Sequence, residues 1–141
     1  MAREILVDTG FWVALFYPSD QHYSQARNAW RQVRREQWPV ATTNWALYEV
    51  MTLLNCRSRR HDLAVRALEF VSRWSQIIHI EEAQLESRSL EIFRNHPDKQ
   101  WSMVDCANFA CIEQRRCEYA LSYDHNFEQA QLEFRFQLLG P

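Results

Sequence analysis

Asp8, Glu49, Asp105 and Asp124 each lie beside a strand-end or helix-start signal, the placement from which acids can gather at one edge of a sheet. The apolar run Ile5-Leu6-Val7 delivers Asp8 at its end, and Thr9-Gly10 follow at once. Parallel strands set their carboxyl ends beside the crevice where ligands bind. Four carboxylates in one crevice repel each other and raise their own pKa values unless a cation sits among them. An oxygen-only set suits Mg²⁺ or Mn²⁺ rather than zinc. The expectation is a divalent-metal site.

Each acid also has a plain structural role. Asp8 can cap the helix that starts near Gly10, Asp124 can cap a helix of its own, and Glu49 can be an ordinary exposed glutamate. Asp105, three residues after Ser102, fits a capping arrangement in which the acid bonds back to the cap. No single acid decides. Taken together they fall after the first and fourth strands and at the starts of the helices after the second strand and before the fourth. In a doubly wound sheet those positions can face one crevice, so the structural roles would require four separate coincidences.

Other chemistries find little support. The only glycines are Gly10 and Gly140, too few for a phosphate-cradling loop. Cys56, Cys106, Cys111 and Cys117 show no CxxC spacing and are expected to be reduced core thiols. The five histidines include no HExxH pair, which argues against a zinc enzyme. Net charge is −2, yet Arg31, Arg34 and Arg35 close one helical segment and Arg57, Arg59 and Arg60 follow another. These clusters either complement helix dipoles or bind phosphate.

The elements that must position the acids read as one α/β unit over 1–141, a parallel sheet of four to five strands with helices on both faces. Hydrophobic content of 47% at this length supports a core without disulfides. Strands are expected over 4–8, 39–43, 77–80 and 119–123, with Phe134, Phe136 and Leu138 alternating as a fifth, edge strand. Helices are expected over 10–16, 22–36 (apolar Tyr23, Ala26, Trp30, Val33), after an Asn44 N-cap, over 61–74 and 81–95, and after a Ser102 N-cap. The N-terminus runs straight into a strand, leaving no room for a signal peptide, and no stretch nears the ~20 apolar residues that span a bilayer. A cytoplasmic protein is expected.

Four ordered segments carry a resemblance: Val7-Asp8-Thr9-Gly10-Phe11-Trp12; Glu49 within Trp45-Ala46-Leu47-Tyr48-Glu49-Val50; Trp101-Ser102-Met103-Val104-Asp105-Cys106; and Ser122-Tyr123-Asp124-His125-Asn126-Phe127. The chain resembles the PIN-domain nucleases, in particular the ribonuclease toxins of VapBC-type toxin–antitoxin pairs. That resemblance implies a PIN fold and an endoribonuclease using Mg²⁺ or Mn²⁺, with Asp8 and Asp105 as direct ligands and Glu49 and Asp124 completing the set directly or through water. It implies Thr9 and Ser102 as hydroxyls orienting the carboxylates, an RNA substrate, an antitoxin that sends a basic residue into the acids, and a homodimer. Exposed apolar surface on the second and fourth helical segments would suit the dimer. His125-Asn126 read as a turn, and Asp98 borders the expected entrance. Trp30 and Trp74 fall on core stripes. Trp12, Trp45 and Trp101 flank the crevice and are expected to pack there rather than stack on RNA bases. Two other functions remain in view. One is a non-catalytic scaffold that docks RNA or protein. The other is a haloacid-dehalogenase-like phosphatase with Asp8 as nucleophile, whose second aspartate is replaced by Gly10 and whose only available lysine is Lys99.

Overall fold

The apolar run Ile5–Val7 forms β1, buried along its whole length, in a computed structural model that describes residues 4–139. Met1–Arg3 and Gly140–Pro141, which bear on the N-terminal and glycine readings, lie outside the described residues. The other strands are β2 (Val40–Thr43), β3 (Gln76–Ile78), β4 (Tyr119–Leu121) and β5 (Gln137–Leu138). They make one sheet in the order β3-β2-β1-β4-β5, every pairing parallel. The helices are α1 (Thr9–Phe16), α2 (Tyr23–Glu36), α3 (Asn44–Thr52), α4 (His61–Trp74), α5 (Leu85–Asn95), α6 (Met103–Arg115) and α7 (His125–Phe134), with a π-helical turn at Leu53–Arg57 directly after α3.

Period-two alternation in the strands builds both layers. Ile5, Val7, Val40 and Leu121 point into a core with residues of α1, α2, α3 and α4, including Trp12 and Trp30. Leu6, Ala41 and Ala120 point the other way, into a core with α5, α6 and α7 around Phe109 and Phe127. Each such fully buried aromatic or branched side chain stabilises the fold by roughly 1.5–3 kcal/mol. Helices thus cover both faces, and the strand order reverses between β1 and β4. Among the described residues no helix is long and apolar enough to cross a membrane.

Several boundaries differ from the sequence expectation. Thr43, not Asn44, caps α3, accepting from the Ala46 N–H at 3.0 Å. Asn44 is instead the first helical residue, and its side chain accepts from the Ile80 N–H and donates to Glu81. That bond anchors Ile80, turns follow over 81–84 with Ala83 and Gln84 at positive φ, and α5 starts at Leu85 rather than at Glu81. Phe134 ends α7, in the row Phe127, Ala130, Phe134, and only Gln137–Leu138 pairs as the edge strand. His125 and Asn126 are the first turn of α7 rather than a free turn. Cys106, Cys111 and Cys117 are buried thiols, but Cys56 is exposed, and all four are free.

Candidate active site

Asp8, Glu49, Asp105 and Asp124 all line one cavity of about 320 Å³, together with Thr9, Ser102, Gln100 and Asn126. Asp8 leaves β1 at the point where strand order reverses, and Asp124 follows β4 next to it. That is the place where an open α/β sheet opens a ligand crevice. Asp105 enters from the first turn of α6 and Glu49 from α3. Four separate segments therefore bring their acids to one pocket.

Asp8 is buried at 4% exposure, and both of its oxygens accept hydrogen bonds. Its Oδ1 accepts from the Thr9 N–H at 2.7 Å and from Asn108 Nδ2 at 3.1 Å, and its Oδ2 accepts from the Ser122 hydroxyl at 2.9 Å. Ser122 Oγ in turn accepts from the Asp124 N–H at 3.0 Å. Asp105 belongs to a capping box: its N–H donates to Ser102 Oγ, and its Oδ2 accepts from the Ser102 N–H, both at 3.0 Å. Asn126 Nδ2 donates to the same Oδ2 at 2.9 Å, while the Asn126 N–H donates to Asp124 Oδ1 at 2.9 Å. One asparagine thus ties Asp105 to Asp124.

Electrostatics follow from this crowding. Burial, then the Asp105 charge, push the Asp8 carboxyl up to about 7 from 3.8, against bonds from Ser122 and Thr9. Burial also raises Asp105, opposed by the Ser102 and Asn126 bonds, with the Asp124 charge adding to the rise. Raised carboxyl pKa values in a cleft mark a candidate functional site, where either a proton or a cation relieves the crowding. Asp124 is exposed at the rim and Glu49 half-exposed.

The donor set is wholly oxygen: carboxylates, hydroxyls and amide oxygens, with no histidine or cysteine lining the pocket. That chemistry fits Mg²⁺ or Mn²⁺. Among the described residues no three His, Cys, Asp or Glu side chains stand close enough to grip an ion by themselves. A cation here would take one or two carboxylates and fill its shell with water, as Mg²⁺ commonly does. Both hydrogen bonds to Asp105 fall on Oδ2, and Thr9 Oγ1 is buried with no partner among the described residues, so oxygens remain to receive one.

The expected orienting hydroxyls act differently from the reading. Thr9 supports Asp8 through its backbone N–H, not its hydroxyl, and Ser102 holds Asp105 through its own N–H while its hydroxyl accepts. The hydroxyl that does orient a carboxylate is Ser122. Sequence reading missed Ser122 and Asn108 and took Asn126 for part of a turn. A signal for Asn108 did exist, since it is a polar residue three positions from Asp105 on a helix otherwise flanked by Ala107, Phe109 and Ala110. Asp98 does not line the acid pocket and pairs with Lys99 at 3.1 Å. Trp12 and Trp101 are interior, their indoles bonded to Thr42 and Gln129, and Trp45 donates to Glu81.

A family profile described as the PIN domain matches residues 5–132. The 23S rRNA-specific endonuclease VapC20 of Mycobacterium tuberculosis is 33% identical over 128 residues, which cover 89% of this chain and 93% of that protein. The crystal structure of Mycobacterium tuberculosis VapC20, described as a Sarcin-Ricin loop cleaving toxin, superposes with a TM-score of 0.78 at 31% identity, over 89% of this chain and 94% of that one. A toxin–antitoxin complex from Klebsiella pneumoniae shares the fold, with a TM-score of 0.58 at 22% identity over 85% of this chain and 86% of the other.

Proposed function

The chain belongs to the PIN-domain family, and from that premise we propose that the acid pocket is the catalytic centre of a divalent-metal-dependent endoribonuclease, the toxin of a toxin–antitoxin pair. The observation that carries this reading is the convergence of Asp8, Glu49, Asp105 and Asp124 on one pocket at the sheet's reversal point. The domain is taken as the whole chain, 1–141, and its place of action as the cytoplasm.

Asp8 and Asp105 would be the direct ligands of Mg²⁺ or Mn²⁺, with Glu49 and Asp124 completing its shell directly or through water. When bound, the cation acidifies water and neutralises charge developing on the leaving oxygen of a phosphodiester. The protein's own contribution is to hold the acids in place. The Thr9 N–H, Asn108 and Ser122 fix both oxygens of Asp8, and Asn126 sets Asp105 against Asp124. Glu49, half-exposed on its own helix, lines the same pocket. Helix capping alone does not require Asp8 and Asp105 to share one pocket, and their crowding there raises the Asp8 carboxyl's pKa.

The substrate we infer is RNA, and the relative's description makes the sarcin–ricin loop of 23S rRNA the first to assay. An antitoxin partner and a homodimer belong to the same reading. The most exposed apolar side chains sit on α5 (Leu90, Phe93) and α7 (Leu132), together with Val65 on α4 and Tyr48 on α3; α2 carries none. The test is cleavage of a sarcin–ricin loop RNA with Mg²⁺, Mn²⁺ or EDTA, by wild type and by Asp8→Ala. Cleavage that needs the cation and drops at least 100-fold in the variant is expected. Equal cleavage under all conditions eliminates the reading.

A further inference from the structure

The pocket lining contains no basic residue, yet RNA is a polyanion that must be held near it. Glu49, Leu53 and Arg57 follow each other at intervals of four along α3 and the π-helical turn, and the first two line the pocket. Four residues are close to one turn in either helix type, so Arg57 continues the same row outward, on the order of 10 Å beyond Glu49. π-Turns of this kind recur at functional sites.

The turn is pinned rather than loose. The Ser58 N–H donates to Leu53 O at 3.1 Å and the Arg60 N–H to Leu54 O at 2.9 Å. His61 Nδ1 meets Asn55 Oδ1 at 2.7 Å, and Arg60 forms a two-pronged pair with Asp62. Arg57 and Arg59, between these anchors, are exposed and make no ion pair among the described residues. Two exposed guanidinium groups on a fixed turn, that of Arg57 continuing a pocket-lining row and that of Arg59 two residues on, have the chemistry of a phosphate clamp.

We infer that Arg57 and Arg59 bind the RNA backbone beside the cleaved bond and position the strand over the acid pocket. The inference rests on the endoribonuclease reading. Arg59 has φ 55, a left-handed conformation glycine adopts freely, so Arg59→Gly removes the side chain while easing the backbone. Arg57→Gln keeps helix propensity and removes the charge.

The experiment measures binding of a fluorescein-labelled sarcin–ricin loop RNA in EDTA across a salt series, with a scrambled RNA beside it, and then steady-state cleavage in Mn²⁺. The Arg57→Gln/Arg59→Gly double variant is expected to bind both RNAs roughly tenfold more weakly. Its slope of log affinity against log salt should fall by about 0.7 per lost phosphate contact. KM should rise with kcat retained, and thermal stability should not drop. Arg116→Gly, past the far end of α6, removes a charge at another left-handed position and should leave binding, slope and KM unchanged. A double variant matching wild type in slope and KM overturns the inference, as does an equal loss in Arg116→Gly. If wild type itself neither binds nor cleaves RNA, the function reading has failed and the clamp falls with it.

Discussion

Asp8 is the residue at which burial, charge and hydrogen bonding meet, and its protonation should be visible in the stability of the protein. The unfolded chain releases this proton near 3.8, whereas the folded chain keeps it to about 7, burial being the main cause and Asp105 the next. Between those values the folded state binds more protons than the unfolded one, so stability falls as pH rises. In EDTA the loss from pH 4 to pH 7 should be on the order of 3 kcal/mol. Urea unfolding at a series of pH values reads it directly, and Asp8→Asn, which carries no charge, should flatten the curve. A wild-type profile as flat as the variant's would mean that Asp8 is ionised throughout.

At the scale of elements, the scarcity of glycine leaves a trace. Helices α2, α6 and α7 end on Gln37, Arg116 and Arg135 with positive φ, where glycine is the usual residue. A left-handed non-glycine residue costs roughly 1–2 kcal/mol, part of which glycine returns by loosening the unfolded chain. Gln37 is exposed, so Gln37→Gly should stabilise the fold by roughly 0.5–1 kcal/mol in denaturant titration. A destabilised variant would show that the Gln37 side chain makes a contact that matters. The amphipathic α2 and the fully apolar β1 were readable because burial imposes a period on the residues themselves. Less readable was Phe134, which fits a period of two with Phe136 and a helical row with Phe127, and only packing in α7 decides between them. The anchoring of Ile80 and of Asp8 was out of reach for a different reason: Ile80 bonds to Asn44 and Asn108 to Asp8 across 36 and 100 residues of sequence.

For the whole molecule, the acid pocket joins β1, α3, α6 and the β4–α7 junction, so an ion held there would cross-link segments spread from residue 8 to residue 124. Nothing in the unfolded chain reproduces that convergence, and a ligand that binds only the folded state stabilises it by mass action. At a Mn²⁺ concentration about 100 times its dissociation constant the gain is about 2.7 kcal/mol. For a chain of this length that corresponds to a rise in Tm on the order of 10 °C. Part of the gain comes from relieving the repulsion between Asp8 and Asp105, so the rise should be larger at pH 8, where Asp8 is ionised, than at pH 5, where a proton must first leave. Differential scanning fluorimetry of wild type and of Asp8→Ala/Asp105→Ala at both pH values separates site binding from general salt effects. A Tm that Mn²⁺ does not move in wild type, or moves equally in the double variant, would remove the cation from this pocket.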